Sequence, residues 1–76
     1  MFEKVLVLDT IDRVRDFVDI ASSKDYDITV QSGKYIVNAK SIMGVFSLDL
    51  TKPVTMRADC KTMAELSRQI KPFVKE

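Results

Sequence analysis

Seventy-six residues are enough for one domain, spanning 1–76, and too few for two. Hydrophobic side chains make up 46% and charged ones 30%, with 12 basic against 11 acidic residues and a formal charge of +1. That is a globular composition with no field to gather nucleic acid or an anionic membrane. There is no histidine and one cysteine, Cys60, so no disulfide forms within the chain and metal binding is left to scattered carboxylates.

In chain order, Phe2 to Leu8 reads as a strand with apolar residues on both faces, expected to be largely buried. Asp9 is the expected N-cap of the next element, with Asp12 three places on. Ile11, Val14, Phe17, Val18 and Ala21 recur at helical spacing, and the helix should end near Ser22-Ser23-Lys24. Asp27 to Gln31 reads as a strand, Ser32-Gly33 as a tight turn, and Lys34 to Ala39 as the returning strand, with Tyr35, Val37 and Ala39 on one side.

Ser41 to Leu48 is short and apolar around a glycine, and suits a brief helix or a strand. Ser41 is a good N-cap, which favours the helix. Pro53 interrupts before Val54, Met56 and Ala58 alternate as a strand. Thr62-Met63-Ala64-Glu65 has the form of a capping box. Met63, Leu66, Ile70 and Phe73 follow at helical spacing, with Pro72 ending or kinking the helix.

The order β-α-β-β-α-β-α predicts an α+β fold. It is a two-layer, open-faced sandwich with a four-stranded antiparallel sheet and helices on one face, since each helix has one apolar stripe to bury. A ferredoxin-like domain would have a similar order without the short middle helix, and pattern alone does not separate the two. Glu3 and Lys4 break any leader-like apolar run. No run approaches the roughly 20 residues that cross a bilayer, so a soluble, cytoplasmic protein is expected.

The stretch Val37-Asn38-Ala39-Lys40-Ser41-Ile42-Met43-Gly44-Val45-Phe46-Ser47-Leu48 resembles the signature of HPr, the histidine-containing phosphocarrier of the bacterial sugar phosphotransferase system. The resemblance implies the end of a strand followed by a short helix. It also implies that Ser41 matches the regulatory serine phosphorylated by a dedicated kinase in many Gram-positive bacteria. The hairpin around Gly33-Lys34 and the first helix fit the same family.

The departures bear on function. In that family a histidine followed by Arg and Pro lies between the first strand and the first helix. Here the loop reads Leu8-Asp9-Thr10-Ile11-Asp12 and holds no imidazole, the nucleophile that phosphoryl relay requires. Asp49 stands where the family usually has glycine, and Ala58-Asp59-Cys60-Lys61 replaces a common glycine-acidic turn. Asp9 and Thr10 read as residues that begin a helix, and Cys60 as an ordinary loop cysteine.

These observations predict a module that binds proteins and is not an enzyme, with no cofactor, metal or nucleic acid. Ser41 is the candidate phosphorylation site. Lys40, Ile42, Met43 and Phe46 are the candidate partner-binding residues, while Val45 and Leu48 are the better core residues. The partner implied by the resemblance is an enzyme like HPr kinase or a transcriptional regulator. The competing expectation is a ferredoxin-like or ACT-like domain that senses a small molecule.

Overall fold

A computed structural model describes residues 2–75. The strands are β1 (Phe2–Leu6), β2 (Ile28–Ser32), β3 (Tyr35–Asn38) and β4 (Val54–Ala58). The helices are α1 (Ile11–Ser22), α2 (Ile42–Phe46) and α3 (Ala64–Ile70), the last running into a 3-10 turn at Lys71–Phe73. The sheet order is β1-β4-β2-β3, antiparallel throughout. The α+β open-faced sandwich expected from the pattern is thus present, and α2 separates it from a ferredoxin-like arrangement.

The sheet is polarised by its period of two. Phe2, Leu6, Ile28, Val30, Val54, Met56 and Ala58 are buried. Val14, Phe17, Val18 and Ala21 of α1, Val45 of α2, and Leu66 and Ile70 of α3 complete the same core. Phe73 meets Phe17 edge to face, with ring centres 6.4 Å apart and planes at 79°, the geometry that the ring quadrupoles favour. On the other sheet face Arg57 of β4 donates to Glu3 of β1 at 2.7 Å and to Gln31 of β2, so one guanidinium joins three strands.

Between β2 and β3, Gly33 has φ of 59°, and among the described residues no non-glycine has positive φ. A positive φ at the first of two turn residues is the type II′ hairpin, whose twist matches the strands. Glycine adopts it without the clash that a Cβ would bring.

Three local expectations are corrected. β1 stops at Leu6, and Glu3, Lys4 and Val5 are exposed, because β1 lies at the edge of the sheet. Its free side is closed partly by the chain end: Val7 N–H donates to the Phe73 carbonyl at 2.7 Å and Lys75 N–H to the Val5 carbonyl at 2.9 Å. The N-cap of α1 is Thr10 and not Asp9: Thr10 is extended and its hydroxyl accepts from Arg13 N–H at 3.1 Å. Asp9 pairs instead with the Arg13 side chain at 3.5 Å. The capping box at Thr62 does not form. Helix α3 starts at Ala64 behind Met63, which makes no side-chain cap, and Glu65 accepts from Lys24 Nζ at 3.2 Å. An ion pair across the fold has taken the carboxylate that a box would turn back on its own helix.

Candidate functional site

The turn leading into α2 is built by Asn38. Its side-chain carbonyl accepts from Lys40 N–H at 2.9 Å and its backbone carbonyl from Ser41 N–H at 3.0 Å. Such a side chain mimics a turn of backbone and fixes the residues after it. Ser41 then sits extended as the N-cap of α2, and its hydroxyl accepts from Gly44 N–H at 3.2 Å. The Ser41 carbonyl accepts the first helical bond, from Val45 N–H at 3.0 Å. The helix expected at this segment is therefore present, with the expected cap, and Ser41 is exposed.

The five residues of α2 divide by face. Val45 is fully buried, Leu48 just beyond it is buried, and Ile42 is half-buried against the core. Met43 is 76% exposed and Phe46 38% exposed. They stand three apart, which makes them neighbours on a helix surface. The structure thus leaves Met43 and Phe46 as an exposed apolar pair on the helix that Ser41 caps and turns Ile42 partly inward.

Lys40 has a different setting. Its ammonium donates to the carbonyl of Lys24 at 2.9 Å in a partly buried position. Lys24 follows the end of α1, and its own ammonium, in a side chain only 8% exposed, pairs with Glu65 of α3. Asn38, Gly44 and Lys24 therefore belong to the surroundings of Ser41. Asn38 two residues before a backbone turn is a readable signal; the pairing to Lys24 is a tertiary contact with no local trace.

The loop between β1 and α1 is the second place of interest. Leu8 is fully buried, and Asp9 and Thr10 are exposed. Arg13 Nη1 donates to the carbonyls of Val7 at 3.4 Å and Pro72 at 3.3 Å, tying the loop to the 3-10 turn. The polar side chains gathered there are Asp9, Thr10 and Arg13: a carboxylate, an N-cap hydroxyl and a guanidinium, without an imidazole.

Elsewhere, Asp49 accepts from the Thr51 amide at 3.2 Å and the Thr51 hydroxyl at 2.5 Å. The hydroxyl bond first, then the amide bond, holds its carboxyl below the usual range. Cys60 is half-buried against the core and lines a shallow hollow of about 400 Å³ with Asp25, Tyr26, Asp59, Lys61 and Thr62. Burial, followed by the nearby Cys60, Glu65 and Asp25, raises the Tyr26 phenol above its ordinary value. Among the described residues no three histidine, cysteine or carboxylate side chains are grouped to hold a metal ion. Nor is any helix among them long and apolar enough to cross a membrane.

The family described as "PTS HPr component phosphorylation site" matches residues 14–76. The match begins inside α1 and so leaves out β1 and the loop at Asp9 and Thr10. The fold is similar to that of HPr-C-His from Thermoanaerobacter tengcongensis, seen in a crystal structure, with a TM-score of 0.77 and 26% sequence identity. The likeness covers 95% of this chain and 89% of that one. No curated protein matches the sequence. A four-stranded open-faced sandwich, a serine-capped middle helix and a family match over most of the chain agree: this protein belongs to the HPr family of the phosphotransferase system, whose members are phosphocarriers and not catalysts.

Proposed function

We propose that this chain is a non-catalytic HPr-like module that binds other proteins in the cytoplasm and does not carry phosphohistidine. Its regulatory residue is Ser41, and its docking surface is Met43 and Phe46 with Lys40 and Ile42 at the margin. One observation carries the reading: Ser41 is exposed as the N-cap of the same short helix that exposes Met43 and Phe46. An exposed apolar pair on a short helix suits protein contact, and methionine adapts its shape to a partner. The loop supports the negative half, since Asp9, Thr10 and Arg13 offer no imidazole nitrogen to take phosphate from phosphoenolpyruvate.

The partner class is a serine kinase of the HPr-kinase type, or a transcriptional regulator that reads the modified face. In the kinase step the Ser41 oxygen takes the γ-phosphoryl group of ATP, its proton passes to a base on the kinase, and ADP leaves. The phosphate adds roughly −1.5 to −2 of charge beside an apolar surface and so changes which partner fits it.

The test uses a Gram-positive HPr kinase with ATP, followed by mass spectrometry of the product. Phosphate at Ser41 supports the regulatory reading; an unlabelled Ser41 removes the switch and leaves the docking surface alone. A parallel mixture with the general phosphotransferase enzyme and labelled phosphoenolpyruvate should leave the protein unlabelled. Label on this chain would refute the non-carrier half.

A further inference from the structure

We propose that Lys40 is a latch: in the unmodified protein its ammonium holds the turn after α1, and a phosphate on Ser41 draws that ammonium away. The inference rests on the reading of Ser41 as a modified residue, and it names what the modification does inside this protein.

Residue 24 is where three parts of the fold are tied. Its amide donates to the Ala21 carbonyl at 3.2 Å, within the end of α1. Its carbonyl accepts from Lys40 Nζ at 2.9 Å, from the segment leading into α2. Its ammonium pairs with Glu65 at 3.2 Å, in the first turn of α3. The last turn of α1 carries no basic residue. Lys40, from another element, supplies positive charge near that end of the helix, where the macrodipole favours it.

The partner Lys40 now has is a single neutral carbonyl. A phosphoserine next to it in sequence offers three strong acceptor oxygens and nearly two negative charges. The bond to the Lys24 carbonyl has only its donor charged, whereas a bond to the phosphate adds attraction between two opposite charges. The Lys40 backbone is held by the Asn38 side chain at 2.9 Å, so the exchange needs only rotation of the lysine side chain. The Lys24 carbonyl then loses its cation, and the end of α1 loosens on its Glu65 tether. The α2 surface meanwhile gains an ammonium beside the phosphate, so a partner meets an ion pair there and not a bare dianion.

The test installs phosphoserine at position 41 by codon suppression, so that no kinase is needed and a failure of the kinase reaction is scored separately. Amide hydrogen exchange is followed at Ser23 and Lys24, whose amides are bonded to the Ile20 and Ala21 carbonyls, in the unmodified protein, the phosphoserine protein, Lys40→Met, and the combination. Exchange at these amides should rise roughly fivefold with phosphoserine, the size expected for one lost hydrogen bond. Lys40→Met should produce a similar rise, and phosphoserine should add nothing to it. Unchanged protection in the phosphoserine protein overturns the latch, as does an equal further rise from phosphoserine in the Lys40→Met background. If Lys40→Met does not fold, the comparison of the first two proteins still decides.

Discussion

Gly44 and Ser41 form a matched pair: a methyl group on residue 44 would stand 3.2 Å from Ser41 Oγ and 3.5 Å from Val37 Cβ. The bare glycine leaves the space in which the serine hydroxyl accepts from the Gly44 amide. Ser41→Ala alone should cost about 1 kcal/mol, the usual worth of a serine cap. Gly44→Ala gains roughly 0.5–1 kcal/mol of helix preference but pushes the hydroxyl off its amide, so its net effect should be small. The two effects should not add. In the Gly44→Ala background, Ser41→Ala should cost well under the value it has alone, measured as a double-mutant cycle by urea unfolding. Additive costs would show that the hydroxyl keeps its bond in both backgrounds.

The two faces of α2 should answer substitution differently. Met43 is 76% exposed, so Met43→Ser should change stability by no more than about 0.5 kcal/mol, as at ordinary surface sites. Leu48, buried behind the same helix, should cost about 2–5 kcal/mol on truncation to alanine through lost burial and the cavity left behind. Chemical denaturation of both variants gives the comparison. A Met43→Ser cost near that of Leu48→Ala would place Met43 in the core and remove it from the docking surface.

The elements were legible because each rests on a local rule. Val54, Met56 and Ala58 alternate, Val14, Phe17, Val18 and Ala21 follow the helical period, and Ser41 caps the helix that its type favours. The misplaced features are those decided by distant groups. The capping box at Thr62 was overridden when Glu65 paired with Lys24, 41 positions away. Asp9 yielded the cap to Thr10 because Arg13 draws the carboxylate to its side chain and leaves its amide to the hydroxyl. The burial expected of Phe2 to Leu8 holds at Phe2, Leu6 and Leu8 but not at Glu3, Lys4 and Val5, because edge position depends on strand order, which hydrophobicity along one strand does not encode. At the candidate site, Ser41, Met43 and Phe46 could be read from spacing and resemblance. The inward turn of Lys40 could not, since it depends on where α1 ends in space.

Acid should weaken the turn after α2. The Asp49 carboxyl is held below its ordinary value of 3.8, first by the Thr51 hydroxyl and then by the Thr51 amide. A carboxyl depressed in the folded state stabilises it above the unfolded value, and that contribution fades as pH falls through the folded value. Wild type and Asp49→Ala should therefore differ most above about pH 5 and converge as the pH is lowered well below 3.8. Thermal unfolding of both proteins across that range provides the measurement. A gap that stays constant with pH would mean that ionisation of Asp49 adds nothing to the turn.

Tyr26 should act at the opposite end of the pH scale. Its phenol is raised above 10.0, chiefly by burial and then by the negative groups at Cys60, Glu65 and Asp25. A group whose folded value is raised stabilises the fold fully below its unfolded value and ceases to as pH climbs through the folded one. The folded protein resists forming the phenolate because that charge would lie half out of water and beside other anions. Wild type should therefore lose stability above pH 10.0, and Tyr26→Phe, which has no proton to lose, should lose less over the same interval. Absorbance titration in a Tyr35→Phe background locates the ionisation of Tyr26, and unfolding midpoints on either side of it give the change in stability. Equal alkaline losses in the two proteins would mean that the phenol ionises as freely in the fold as in the unfolded chain.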